Sequence, residues 1–222
     1  MGEKILTTHQ RLVLEQASKD PEITKWFYLT GGTALTEFYL QHRLSEDLDF
    51  FSESDLNVPY LKLFFTKLEP LLGITQISTR EHYGMIFFFL KFSDNSELKI
   101  DFVNFPYKQV ERGLKYKELA IDSIFDISLN KLYALSDKPR ARDYIDLYCI
   151  LEKEGISLEQ LLNRMNDKFH PFTFDDKVSL GLKIMRVIEA KNFPQMLIPF
   201  DHKKMEDFFL SEAKKLEKKI FK

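Results

Sequence analysis

The sequence predicts an α+β protein with a mixed N-terminal half, residues 1–122, and a helical C-terminal half, residues 123–222. Three observations carry the prediction. A strand-like run, Trp26 to Thr30, stops at Gly31-Gly32 and leads into a helical stretch. Met85 to Phe92 and Leu98 to Val103 read as the strands of a hairpin, with Ser93-Asp94-Asn95-Ser96 supplying turn residues. Beyond about residue 122 the apolar residues recur at helical spacing.

In chain order, residues 7–19 carry Leu12, Val13 and Ala17 at helical spacing, with Thr7 or Thr8 as N-cap. The strand Trp26–Thr30 and the helix Ala34–Gln41 follow. Residues 47–51 form a short strand on which Asp47 and Asp49 share one face while Leu48 and Phe50 turn to the core, because strand side chains alternate. Residues 59–72 form an amphipathic helix ahead of the hairpin. The helical half reads as 123–136, 140–153, 157–168, 175–190 and 202–220, and Ser157 with Gln160 marks a capping box.

Composition narrows the function classes. The chain of 222 residues has 32 basic and 34 acidic side chains, a net charge of −2, so no global charge draws it to nucleic acid or an anionic membrane. With 44% hydrophobic residues, 8 Gly and 8 Pro it can bury a core, which excludes disorder. The single cysteine, Cys149, offers neither an intrachain disulfide nor a zinc ligand set, and lies in a helix among apolar residues, as a core residue and not a nucleophile. No apolar run nears the roughly 18 residues of a membrane span, the longest being Met85–Leu90, and the N-terminus lacks a leader pattern. The expectation is a cytoplasmic protein without a membrane partner.

The chemistry concentrates in 29-LTGGTALTEFYLQHRLSEDLDFF-51. Gly31 and Gly32 let backbone amides approach a phosphate at a helix start, and the Thr33 hydroxyl is placed to donate to the same oxygen. Asp47 and Asp49 are placed to share hard divalent cations, Mg2+ or Mn2+. Asp101, on the second hairpin strand with Ile100 and Phe102 on the opposite face, is the third carboxylate for a metal site and a candidate proton acceptor.

These motifs resemble the AbiEii/AbiGii-like nucleotidyltransferases, toxin components of bacterial toxin–antitoxin and abortive-infection systems. Gly31-Gly32-Thr33-Ala34-Leu35 is similar to the family's GG[TS]AL, and His42 to Asp49 to its HRxSxDxD. Asp126 followed by Lys131, and Arg142-Asp143-Tyr144-Ile145-Asp146-Leu147, resemble the later acidic–lysine and RDxxDL elements. The similarity covers roughly residues 26–150. It implies the polymerase-β-type nucleotidyltransferase fold, a small mixed sheet flanked by helices and followed by a helical domain. It further implies that Asp47 and Asp49 bind metals holding a nucleoside triphosphate, that Lys131 contacts its phosphates, and that Asp146, with Asp143 a turn earlier, is the last acidic motif. The implied acceptor is RNA, notably the tRNA 3′ end, and the implied partner an antitoxin.

Plainer readings stand beside these. Lys131 is by position alone a helix-surface lysine. Asp143 and Asp146 are within reach of Arg140 and Arg142. Arg43 either ion-pairs with Glu46 or Asp47 or meets the triphosphate. His82 and His170 have no second histidine at ligand spacing. The tail Ala213–Lys222, with five lysines and one glutamate, suits either an RNA backbone or a solvated helix end. Two other functions compete with transfer: a non-catalytic nucleotide-binding regulatory module, and a structural calcium site, the latter disfavoured by the absence of an EF-hand loop.

Overall fold

The computed structural model describes residues 5–220; the N-terminal residues 1–4, and Phe221 and Lys222 of the basic tail, lie outside them. The chain divides into two compact units. One comprises 1–39, 45–108 and 112–122, the other 40–44, 109–111 and 123–222.

The first unit opens with α1 (Thr8–Ala17), started by the predicted Thr7 cap, whose side chain accepts from the Gln10 amide while Gln10 returns the bond. A short α2 (Pro21–Trp26) follows, where the sequence reading began a strand. Asp20 accepts from the amides of Glu22 and Ile23, and Pro21 occupies the first helical position, so Trp26 ends a helix and the strand β1 starts at Tyr28 (Tyr28–Thr30). Next come α3 (Gly31–Leu35), a π-helical turn Thr36–Leu40, β2 (Leu48–Ser52), α4 (Val58–Leu72), β3 (Ile74–His82), β4 (Met85–Phe92), β5 (Glu97–Asn104), β6 (Lys115–Tyr116) and β7 (Leu119–Ile121).

The strands form one mixed sheet in the order β3-β4-β5-β2-β1-β7-β6. Its centre is set by period-2 patterning: Leu48 and Phe50 of β2, Ile86, Phe88, Leu90 and Phe92 of β4, and Leu98, Ile100 and Phe102 of β5 are buried, with their neighbours turned the other way. Phe102 is the hub. Its ring stacks on Phe50 at 4.9 Å and meets Phe27, Phe65 and Phe88 edge-on at 5.0, 6.1 and 5.9 Å, so α4 lies over this face through Phe65. The predicted hairpin is therefore present, and its turn is closed by Asp94, which accepts from the amide and hydroxyl of Ser96.

Strand β3 is absent from the sequence reading because only Ile74 of its nine residues is buried. It is an edge strand held by β4 through a two-residue turn, Tyr83-Gly84, in which both residues have positive φ as a type I′ hairpin requires. Its Arg80 and Glu81 give the edge a charged border.

The second unit is built from α5 (Ile124–Asp137), α6 (Ala141–Glu154), α7 (Leu158–Lys168), α8 (Phe174–Met185) and α9 (His202–Ile220), with a 3-10 turn at Arg186–Glu189. These match the predicted helices within a residue or two, except that the fourth ends at Met185 instead of 190. The Ser157–Gln160 capping box is formed. Asp126, on α5, is fully buried and accepts from the Val110 and Glu111 amides, the Ser123 hydroxyl and the Lys168 ammonium, which ties 109–111 to this unit. Among the described residues no helix is long and apolar enough to cross a membrane.

Candidate active site

The carboxylates of the first unit are placed by strand geometry. Asp49 of β2 and Asp101 of β5 are register partners on adjacent parallel strands, and both lie on the face opposite the aromatic core. Asp47 immediately precedes β2. The Lys99 ammonium lies 2.6 Å from Asp101 and 3.6 Å from Asp47, over the Phe87 ring at 5.2 Å. Lys99 is missing from the sequence reading, although the signal was available: it stands two residues before Asp101 and so shares its face.

Gly31 borders this group. Its φ is +73°, and a Cβ added there would stand 2.2 Å from Asp49 Oδ2 and 2.8 Å from its Cγ. Two constraints thus fix glycine: left-handed backbone, and van der Waals contact with a carboxylate. Gly32 follows inside α3 and is buried. The Thr33 hydroxyl does not point to an open phosphate position. It is fully buried and donates to the Asp47 carbonyl, fastening the acidic loop to α3. At the strand end, Thr30 donates to Asp122 Oδ2 at 2.7 Å, and the Asp122 amide donates to the Leu29 carbonyl at 2.8 Å.

The remaining motif residues meet in the second unit, in a buried charge network centred on Asp146. Arg43 grips Asp146 bidentately, Nε to Oδ1 at 2.6 Å and NH2 to Oδ2 at 2.7 Å, and its NH1 donates to the Leu44 carbonyl. His42 Nε2 lies 2.8 Å from Oδ1, and Lys131 Nζ lies 2.7 Å from Oδ2 and 2.9 Å from Asp143 Oδ1. Asp143 in turn accepts from the backbone amide and Nε of Arg140. Asp146 is 0% exposed and Lys131 8%.

The charges hold one another in place. Burial works against the Asp146 carboxylate, but Lys131 and Arg43 outweigh it and keep Asp146 well below the usual carboxylate range. Asp143 is lowered in the same way, against its burial, by Lys131 and Arg140. Burial likewise opposes the Lys131 ammonium, yet Asp146 and Asp143 raise it. His42 is lowered, chiefly by burial, and its Nδ1 is buried with no hydrogen-bond partner among the described residues. Lys131 is therefore interior, not the helix-surface lysine of the plainer reading, and its ammonium is committed to two aspartates instead of standing open to the phosphate that the resemblance implies. Arg43 is engaged with Asp146, 103 residues along the chain, a partner that the neighbouring sequence does not indicate. Asp143 does pair with Arg140, as the plainer reading had it.

Cys149 is half-buried, and burial followed by the Asp146 charge pushes its thiol up to about 12, which suits packing and not nucleophilic attack. His82 and His170 are exposed. Among the described residues no group of three or more His, Cys, Asp or Glu side chains is arranged to hold a metal ion. The Lys99 ammonium stands between Asp47 and Asp101, and the donors there are carboxylate oxygens, the ligand type that hard divalent cations take.

Comparison with known proteins places the fold in the nucleotidyltransferase class. A crystal structure of a nucleotidyltransferase candidate from H. pylori superposes with a TM-score of 0.62 at 21% identity, covering 99% of this chain and 97% of that one. JHP933 from Helicobacter pylori gives 0.59 at 22% identity, covering 96% and 90%. An uncharacterized protein of Aquifex aeolicus (strain VF5) is 27% identical over 150 residues, 67% of this chain and 68% of that protein. The model of the family described as nucleotidyl transferase AbiEii toxin, type IV TA system, matches residues 12–213, and the chain belongs to that family.

Proposed function

We propose that this toxin-type nucleotidyltransferase binds a nucleoside triphosphate with Mg2+ or Mn2+ and transfers the nucleotide to an RNA acceptor, the tRNA 3′ end being the first to test. The observation that supports this most is the register pairing of Asp49 with Asp101 beside Asp47, on the sheet face turned away from the core and bordered by Gly31. Asp47, Asp49 and Asp101 would hold the metal, which when bound neutralises phosphate charge and sharpens the nucleophile.

The chain's own residues supply the remainder. Backbone amides at Gly31-Gly32 hold a phosphate oxygen. Asp101 takes the proton of the acceptor hydroxyl as its oxygen bonds to the α-phosphorus, and the bond from that phosphorus to the bridging oxygen breaks, so pyrophosphate leaves with the electron pair. Lys99 balances charge at Asp47 and Asp101. Thr33 positions the acidic loop through the Asp47 carbonyl. Lys131, Asp143, Asp146 and Arg43 act by fixing α5 and α6, since Lys131 reaches a phosphate only by leaving an aspartate.

As a toxin of this family the chain would work in the cytoplasm against an antitoxin partner. The test is incubation with each α-labelled NTP, Mg2+, total tRNA and total protein, with Asp49→Ala as control. Label on tRNA that disappears in the variant supports the reading. Label on protein replaces the acceptor, and nucleotide binding without any labelled product turns the reading to a regulatory binding module.

A further inference from the structure

The second unit contains a cavity of about 370 Å³ lined by Lys138, Pro139, Arg140, Tyr144, Lys183, Arg186, Glu189 and Ala190. It lies where the end of α5, the start of α6 and the end of α8 with its 3-10 turn come together. None of its residues belongs to the carboxylate group of the sheet. The walls are fixed: the Tyr144 hydroxyl donates to the Lys183 carbonyl at 2.5 Å, and Ser179 donates to the Ser136 carbonyl at 3.0 Å, joining α8 to α6 and α5.

The lining carries four cations against one carboxylate, a local +3 in a chain whose net charge is −2. Two of the cations are already held in position: Arg140 by Asp143 at 3.2 Å, and Arg186 by Glu189 at 2.8 Å. Lys138 and Lys183 have no carboxylate within ion-pair distance among the described residues. The uncharged lining, Pro139, Tyr144 and Ala190, offers no set of donors and acceptors that would read a base edge. Lys138, Arg140 and Arg186 are exposed at the rim instead of converging inside an enclosed pocket. Such a surface recognises charge along a strand more than the shape of a small ligand.

We infer that this cleft is a docking site for the phosphodiester backbone of the RNA acceptor, with Lys138 and Lys183 making the phosphate contacts. The inference rests on the proposed RNA acceptor, and its test is kept apart from transfer by omitting NTP and metal. Binding of fluorescently labelled tRNA is followed by anisotropy across a salt series, for the wild-type chain, for Lys138→Gln/Lys183→Gln and for Lys138→Arg/Lys183→Arg, with thermal melting alongside. The expected result is about tenfold weaker binding for the glutamine pair at low salt, and a log–log salt slope shallower by about 1.4, at roughly 0.7 per lost single-strand phosphate contact. The arginine pair should bind as the wild type does.

Unchanged affinity and slope in the glutamine pair overturn the inference, as does failure of the wild-type chain to bind tRNA, or equal loss in the arginine pair. The first and third results leave the transfer reading standing. If wild-type binding is lost while NTP still labels a protein, both the RNA acceptor and this cleft are set aside and the transferase remains.

Discussion

At Gly31 a single hydrogen atom in place of a side chain decides whether the acidic group can form. The residue combines φ +73° with a Cβ position 2.2 Å from Asp49 Oδ2, so relief by a small shift is unavailable without moving the carboxylate. Gly31→Ala should cost about 1–3 kcal/mol in denaturant unfolding and remove transfer activity, whereas strain alone would leave activity at permissive temperature. Asp49→Ala should behave oppositely, abolishing transfer while its unfolding midpoint stays close to that of the wild type. Circular dichroism melts and the labelling assay on both variants distinguish them. The GG-T and DxD motifs were legible because their spacing is local. Lys99 was not singled out, and the Thr33 hydroxyl was assigned to a phosphate, because a donor's partner depends on where a loop some fourteen residues later comes to rest.

At the scale of elements, two kinds of interior hold the units. In the sheet, Phe102 touches Phe27, Phe50, Phe65 and Phe88, and Phe102→Ala should cost about 3–5 kcal/mol as a large cavity opens among rings that cannot all close it. In the helical unit, Asp146 neutralises Arg43 and Lys131 out of water. Asp146→Ala leaves those cations buried without their common acceptor, at about 3–5 kcal/mol, measured by urea unfolding. A catalytic role at this position without a structural one would instead leave the urea midpoint unchanged. Most helices were readable from period and caps. Four elements were not read: α2, because an aromatic pair at its end looks like a strand, β3, because hydrogen bonding to β4, with hardly any buried side chains, holds it in place, and β6 and β7, strands of only two and three residues.

At the scale of the whole molecule, the network predicts how stability follows pH. The folded chain depresses the pKa of His42, so the unfolded chain binds the extra proton first as pH falls below about 6.5, and stability declines from there. Asp143 and Asp146, also lowered, add a further loss once pH falls below their ordinary value of 3.8. Lys131 is raised, so its contribution is complete below 10.5 and is lost only at higher pH. These groups therefore leave a plateau between about 6.5 and 10.5 with a first step on its acid side. His42→Gln should flatten that step in melts taken from pH 8 to pH 5, and an unaltered step would assign it to other groups.

The sequence reading drew one boundary near residue 122, whereas the helical unit also takes in 40–44 and 109–111. That interleaving was out of reach of periodicity, because it is made by Asp126 capturing two backbone amides and Asp146 capturing Arg43. It has a consequence for synthesis on the ribosome. By the time Asp146 emerges, its arginine has been waiting for about a hundred residues, so the helical unit closes by reaching back to chain made long before. A fragment beginning at Ser123 would carry both buried aspartates without the segments that saturate them, and the last helices cannot be grown as an independent module by cutting at the linear boundary.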